Sequence, residues 1–218
     1  MTVARPTTSA RSDARRNRGR LVVAARELFE SAGVDVPARE VARQAGVGIG
    51  TLYRHFPTRD DLVDAVLEGA FEELIAVAEQ ALAAEDPWEG FTSFIEEALV
   101  LHARNRGLKD VVELQAHGLR RARAMRRRLR PLVAELVARA QEDGSLRPDF
   151  APQDIPLLFW ASDRVIELAG EVAPEIWRRQ LGFVLDGLRT SAATPVAPVP
   201  LTYEQLRLVG RNKRGGTA

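Results

Sequence analysis

Leu21, Ala25, Leu28, Phe29 and Ala32 fall at i, i+4, i+7, i+8 and i+11, the spacing that lines one face of an α-helix. The period returns at Leu62, Val66, Ala70, Leu74, Ala78 and Leu82. It constrains the fold more than any other feature, because no segment shows the two-residue alternation of a half-buried strand. Such stripes are buried helix against helix, so the fold class is all-α. The pattern predicts helices over about 17–32, 37–46, 48–54, 58–84, 86–107 and 120–141, with one more before 120. Two apolar helices follow, over about 152–170 and 174–190. Gly33, Gly46, Gly144 and Pro148 punctuate them, and Pro131 is expected to kink or break the 120–141 helix. Thr58 reads as an N-cap, with Asp60 and Asp61 complementing the helix dipole.

The ends differ in character. Residues 1–16 mix Thr, Ser, Ala and Arg without periodicity and read as a disordered basic arm. Residues 191–218 read as a Pro-rich linker and a basic tail, in which Thr202 and Gln205 form a capping-box pattern opening a very short helix. Total charge is +1, yet residues 1–60 carry eleven arginines against six acids, a net +5 that leaves −4 for the remainder. A basic head on a mildly acidic body fits one end meeting a polyanion, and it equally fits a solvated basic tail. With no cysteine there is neither disulfide nor thiolate metal site. No stretch has the length of a membrane span, and no apolar segment of signal-peptide type follows the arginine-rich start, so a soluble cytoplasmic protein is expected.

The informative stretch is 39–56, REVARQAGVGIGTLYRHF. Two helices crossing steeply over a short turn need small and apolar residues on the first, a glycine in the turn, and apolar residues facing back from the second. Val41, Ala42 and Ala45 meet the first need, Gly46 the second, Val47 and Leu52 the third. Gly48, Ile49, Gly50, Thr51, Tyr53 and His55 are left to face outward. Two glycines let a helix sit close to a groove. Thr51 can reach a phosphate or base edge, Ile49 can touch a base, and Tyr53, Arg54 and His55 can hold phosphates. The competing reading is a short amphipathic helix pair inside an ordinary bundle.

Residues 45–56, AGVGIGTLYRHF, resemble the signature of the TetR family of transcriptional regulators, AGVSxGTLYxHF, and Arg59-Asp60-Asp61-Leu62 resembles its continuation, with Arg59 where lysine is usual. The resemblance covers about residues 17–76. Pro37 stands where a capping threonine is frequent, and Gly48 where serine is usual. The resemblance implies a DNA-binding domain over 17–76 with its helix-turn-helix at about 37–56, and a helical ligand-binding and dimerisation domain over 77–190. It implies a homodimer on an inverted-repeat operator in double-stranded DNA, answering to an unknown small-molecule effector, with repression as the expected role. Thr51, Tyr53, His55 and Arg59 are then the leading DNA contacts, with Arg39, Gly48, Ile49, Gly50 and Arg54 beside them.

In the body, Phe159, Ile166, Leu181, Leu185 and Leu188 are the expected dimer interface, since two widely apolar helices must bury that face, the alternative being that both are core helices of a monomer. Phe71, Glu113, His117 and Trp160 are the expected wall of a cavity suited to an uncharged or weakly charged organic molecule. The run Arg120, Arg121, Arg123, Arg126, Arg127, Arg128 and Arg130 reads as a solvated face: Arg120, Arg123 and Arg127 cluster opposite Ala122, Met125, Leu129, Leu132, Val133 and Leu136. Glu113 and His117, four apart, could share a helix face, but a metal needs further ligands and only His102 and distant acids are on offer. No metal or cofactor is expected. No nucleophile–base set stands out, so an enzyme is not expected. A helical interaction protein that has lost DNA binding is a third class, opposed by the intact Thr51, Tyr53 and His55.

Overall fold

A computed structural model describes residues 8–32, 35–104, 120–194, 196 and 199–206. Among them, α1 spans Thr8–Ala32, α2 Ala38–Gln44, α3 Ile49–His55, α4 Arg59–Leu82, α5 Pro87–Arg104, α6 Arg120–Glu142, α7 Ile155–Ala169 and α8 Ile176–Leu188. No strand occurs among the described residues, only an isolated bridge between Leu146 and Arg189. The all-α expectation holds. Helix begins at Thr8, so the arm expected to lack structure through residue 16 is helical from that point. Arg16 pairs with Asp13 at 2.7 Å, three residues apart, and an alanine- and arginine-rich stretch propagates a helix without needing an apolar stripe.

The N-terminal helices close on Leu21, Ala25 and Phe29 of α1, Val41 and Ala42 of α2, and Leu52 and Phe56 around α3, all buried. The turn between α2 and α3 is made by Gly46, with φ +62°. An added Cβ there would stand 2.5 Å from the movable end of Arg20, which hydrogen-bonds the Gly46 carbonyl, so it is the positive φ that calls for glycine. Pro37 occupies the N-cap of α2 with no side-chain hydrogen bond, the consequence of lacking a hydroxyl at that end. Gln44 reaches Glu27 at 2.7 Å, and Arg26 grips Glu73 through two hydrogen bonds, tying α1 to α2 and to α4.

α4 is the long element common to both halves. It opens on a capping box: the Asp61 amide donates to Thr58 Oγ1 at 3.1 Å, and the Thr58 amide donates to Asp61 Oδ2 at 3.0 Å. The Thr58 hydroxyl, donating to Asp61 Oδ2 at 2.7 Å, and after it the Thr58 amide hold the Asp61 carboxyl below its usual value. The far end is closed from α6, where the Arg139 guanidinium donates to the carbonyls of Leu82 and Ala84. Residues 76 and 77 lie inside this unbroken helix, so a domain boundary placed there cuts through one element. α6 also runs unbroken through Pro131, where a kink or break was expected. Pro131 is exposed, so the Arg127 carbonyl that loses its donor can turn to water.

α7 and α8 pack on one another through the wholly buried Ser162, whose hydroxyl donates to Gln180 Oε1 at 3.0 Å. After α8 the chain runs through 3-10 geometry at Thr190–Ala192 to a single helical turn at 203–206, opened by the expected Thr202–Gln205 capping box. Among the described residues, no helix is long and apolar enough to cross a membrane.

Replacing Thr58 by alanine removes an N-cap worth about 1 kcal/mol, lowering the melting temperature at pH 7 by about 2–4 °C. Asp61 is depressed in the folded state, so its contribution is present above its ordinary value of 3.8 and is lost as pH falls through the depressed one. The gap between wild type and Thr58→Ala, measured by circular dichroism melts, therefore narrows as pH falls below 3.8.

Candidate functional site

The outward face of α3 follows from its own short sequence. The Thr51 and Leu52 amides donate to the Gly48 carbonyl at 2.8 and 3.3 Å, and Phe56 closes the helix on Leu52 at 2.8 Å. Leu52 and Phe56 point into the domain core, which leaves Gly48, Ile49, Gly50, Tyr53 and Arg54 exposed, with Thr51 and His55 half-buried beside them. Tyr53 is 53% exposed. Side chains at positions 48 and 50 would meet open space, so neither glycine is demanded by packing. Their absence instead leaves a shallow surface that a wide partner can approach closely. The sequence grouped all seven positions, and the structure leaves all seven at least partly open to solvent along α3.

Arg39 and Arg54 are exposed and form no ion pair among the described residues. Arg59 differs: it is engaged with Asp35 at 2.6 Å, on the loop between α1 and α2. Both partners are well exposed, so the pair adds little stability and can be exchanged for another anion. Around the same end, Arg18 lies over the Phe56 ring at 5.4 Å. The chemistry offered by α3 is thus a hydroxyl, a phenol, an imidazole, an aliphatic side chain and flanking guanidinium groups, with no carboxylate on the helix.

A cavity of about 250 Å³ opens in the body between α4, α5, α6 and α7, close to the lower end of small-molecule pockets. Phe71 and Trp160, expected from spacing, line it, with Phe94, Leu129 and Phe159 adding apolar wall. Glu113 and His117 lie outside the described residues. Three groups that the sequence reading missed also reach the cavity. His102 donates to Asp163 at 2.8 Å, both nearly buried, and its ring stands 5.5 Å from Phe159. Tyr203 and Leu206 bring the C-terminal segment to the cavity edge. Arg126 leaves the exposed arginine run and turns inward over the Phe71 ring, 5.6 Å from its centroid. Helical spacing held the signal for Arg126: it precedes Leu129 by three residues and Val133 by seven, the edge of the apolar stripe. The other arginines of the run, 120, 121, 123, 127, 128 and 130, are exposed.

The expected dimer residues fall differently. Leu181 and Leu185 are buried in the protomer's own core, Leu185 at 7% exposure, and Phe159 lines the cavity. Ile166 and Leu188 pack partly against that core. Much of the apolar face of α7 and α8 is therefore used within the chain, where the two helices pack on each other and α7 packs on α5. The apolar surface left outward belongs to Leu157 and Leu168 of α7, Val172 beyond it, and Phe183 of α8, which is 64% exposed.

Residues 21–66 match the family model described as bacterial regulatory proteins of the tetR family, and residues 86–190 match an SbtR-like transcriptional regulator C-terminal domain. An HTH-type transcriptional regulator of Staphylococcus aureus is 41% identical over 59 residues, 27% of this chain and 32% of that protein. The chain thus spans about a third of the length of the curated relatives it matches. The crystal structure of a TetR transcription regulatory protein from Mycobacterium vanbaalenii is 34% identical, covers 82% of this chain and 98% of its own, and superposes with a TM-score of 0.58. A TetR transcriptional regulator of Streptomyces coelicolor is 28% identical, with 79% and 98% coverage and a TM-score of 0.57.

Thr51→Ala combined with Tyr53→Phe should weaken binding to a selected DNA duplex by about tenfold or more while the melting temperature stays nearly constant, since neither side chain supports the core. Arg123→Glu with Arg127→Glu, both on the solvated side of α6, should leave that affinity within a few-fold in the same titration.

Proposed function

The chain belongs to the TetR family of helix-turn-helix transcriptional regulators, and on that premise we propose that it is a cytoplasmic homodimeric repressor, held on an inverted-repeat operator and released when a small organic molecule fills the cavity. Regulators of this family bind DNA and are not enzymes. The observation that carries the reading is that α4 serves both sites. Leu62, Val63 and Val66 near its start are part of the DNA-binding core, and Ala70, Phe71 and Leu74 further along are cavity wall.

A second tie joins the cavity to the DNA-binding helices. The Arg121 amide, at the start of α6, donates to the buried Asp64 at 3.1 Å, and its guanidinium donates to Glu68 at 3.1 Å. Glu68 also faces Arg18 of α1 at 3.9 Å. A ligand that displaces α6 or Phe71 thus pulls on α4 and, through Glu68, on α1. In the dimer the spacing of the two α3 helices would change with them. The ligand must prefer the mis-spaced form, and the operator then weakens the ligand by the same factor.

Two α3 helices on a two-fold axis should engage half-sites about 34–36 Å apart or a multiple of it, with affinity falling steeply as salt rises. The outward stripe on α7 and α8 is the proposed interface. Phe183→Glu should yield a monomer by light scattering with an intact circular dichroism spectrum and lose tight operator binding. A wild type that is monomeric at micromolar concentration would refute the dimer.

The decisive experiment is footprinting on a duplex selected by the protein, repeated with each compound that raises its melting temperature. Compounds that stabilise the body but never free the duplex would end the ligand-release reading. Arg121→Gln should keep ligand affinity within about threefold while reducing the ligand's effect on DNA affinity by roughly fivefold or more, within the usual range of coupling free energies.

A further inference from the structure

The arginines that are withdrawn from solvent elsewhere in the chain are satisfied. Arg26 holds Glu73 and Glu30, Arg139 holds the carbonyls of Leu82 and Ala84, and Arg147 holds Asp149. Arg126 is the exception among the described residues. It is partly buried in the cavity wall, no described carboxylate pairs with it, and its contact is the face of Phe71. Burial, with the neighbouring charges of Arg130 and Arg123, lowers its pKa, so the environment disfavours the charge it carries. A guanidinium keeps that charge at any physiological pH, and an anion brought alongside relieves the cost.

The described cavity lining holds no aspartate or glutamate. One turn beyond Arg126, Arg130 reaches the same cavity and lies 4.3 Å from the Tyr203 ring, at the edge formed by the C-terminal segment. The rest of the described wall is mainly apolar, and its imidazole, His102, is already committed to Asp163. A neutral ligand would add desolvation to Arg126 while bringing it no carboxylate beyond those of the described residues, none of which pairs with it.

We propose that the effector is an amphiphilic carboxylate, its apolar body against Phe71, Phe94, Leu129 and Trp160 and its head group bound by Arg126. The inference rests on the cavity being the effector site. The planar fork of Arg126 matches a carboxylate through two parallel hydrogen bonds, an arrangement that a hydroxyl cannot reproduce.

Calorimetric titration with matched probes tests it: octanoate against 1-octanol, 4-phenylbutyrate against 4-phenyl-1-butanol, and octylammonium as the opposite charge. In at least one pair the acid should bind about 10- to 100-fold more tightly than its alcohol, the range for a charge-assisted hydrogen bond, and octylammonium should bind more weakly than either. Arg126→Gln should abolish the preference while holding the alcohol within about threefold, and Arg126→Lys should keep part of it. Equal affinity within every pair, preference surviving in Arg126→Gln, tight octylammonium binding, or no binding by any probe would overturn the proposal. The comparison on wild type stands even if a variant unfolds. Adding the selected DNA duplex separates the two readings. Acids that bind through Arg126 without freeing DNA uphold the anion site and retire ligand-controlled release. Release by acids and alcohols alike, at equal affinity, retires the anion site and upholds release.

Discussion

The rest of the structure depends on one helix having to bury two different faces along its length. The first part of α4 closes the DNA-binding core with Leu62, Val63 and Val66, and the later part packs Ile75, Ala78 and Ala81 under the body. Between them, Ala70, Phe71 and Leu74 line the cavity, with Arg126 over the Phe71 ring. Both ends are pinned by hydrogen bonds, at Thr58 and Asp61 and at the carbonyls that Arg139 closes. A close-packed rod held at both ends has few ways to yield locally, so in the proposed ligand release a displacement at the cavity would be carried along it. That is a physical route for coupling the two sites that needs no hinge within the described helices.

Arginine does most of the remaining work, in roles that a near-zero net charge conceals. Arg26 clamps α1 to α4 through Glu73 and pairs with Glu30 on its own helix, and the same contacts raise its pKa. Arg121 links α6 to α4, and Arg139 closes α4. Arg39 and Arg54 remain exposed near α3, as a surface that meets phosphates requires. Arg126 is set apart by carrying charge into an apolar cavity. What distinguishes these residues is the distance to an acceptor and the extent of withdrawal from water, neither of which composition expresses.

The outward face of α3 was legible because it is encoded within a dozen residues. Gly46 must turn, Leu52 and Phe56 must face inward, and the intervening positions are then outward by helix geometry alone. The interface expected from α7 and α8 was less legible for the opposite reason: Leu181 and Leu185 are buried within the protomer, and Phe159 lines the cavity. A wide apolar helix face looks the same in sequence whether its cover comes from the same chain or from a second copy. Only the docking of α7 and α8 on each other and of α7 on α5 decided it, leaving Leu157, Leu168 and Phe183 outside.

By itself the sequence determined the helical class, the turn at Gly46, the caps at Thr58 and Thr202, and the surface offered by α3. Each rests on interactions spanning no more than about four residues, where backbone geometry and one hydrogen bond settle the outcome. The tertiary structure alone decided that α4 joins the two sites, that Arg126 turns inward from a solvated run, that His102 is committed to Asp163, and that 203–206 returns to the cavity. Those outcomes depend on surfaces far apart in the chain competing for the same space. Which of them wins is set by packing volume and by the distance to a charged partner, quantities that exist only once the helices have docked.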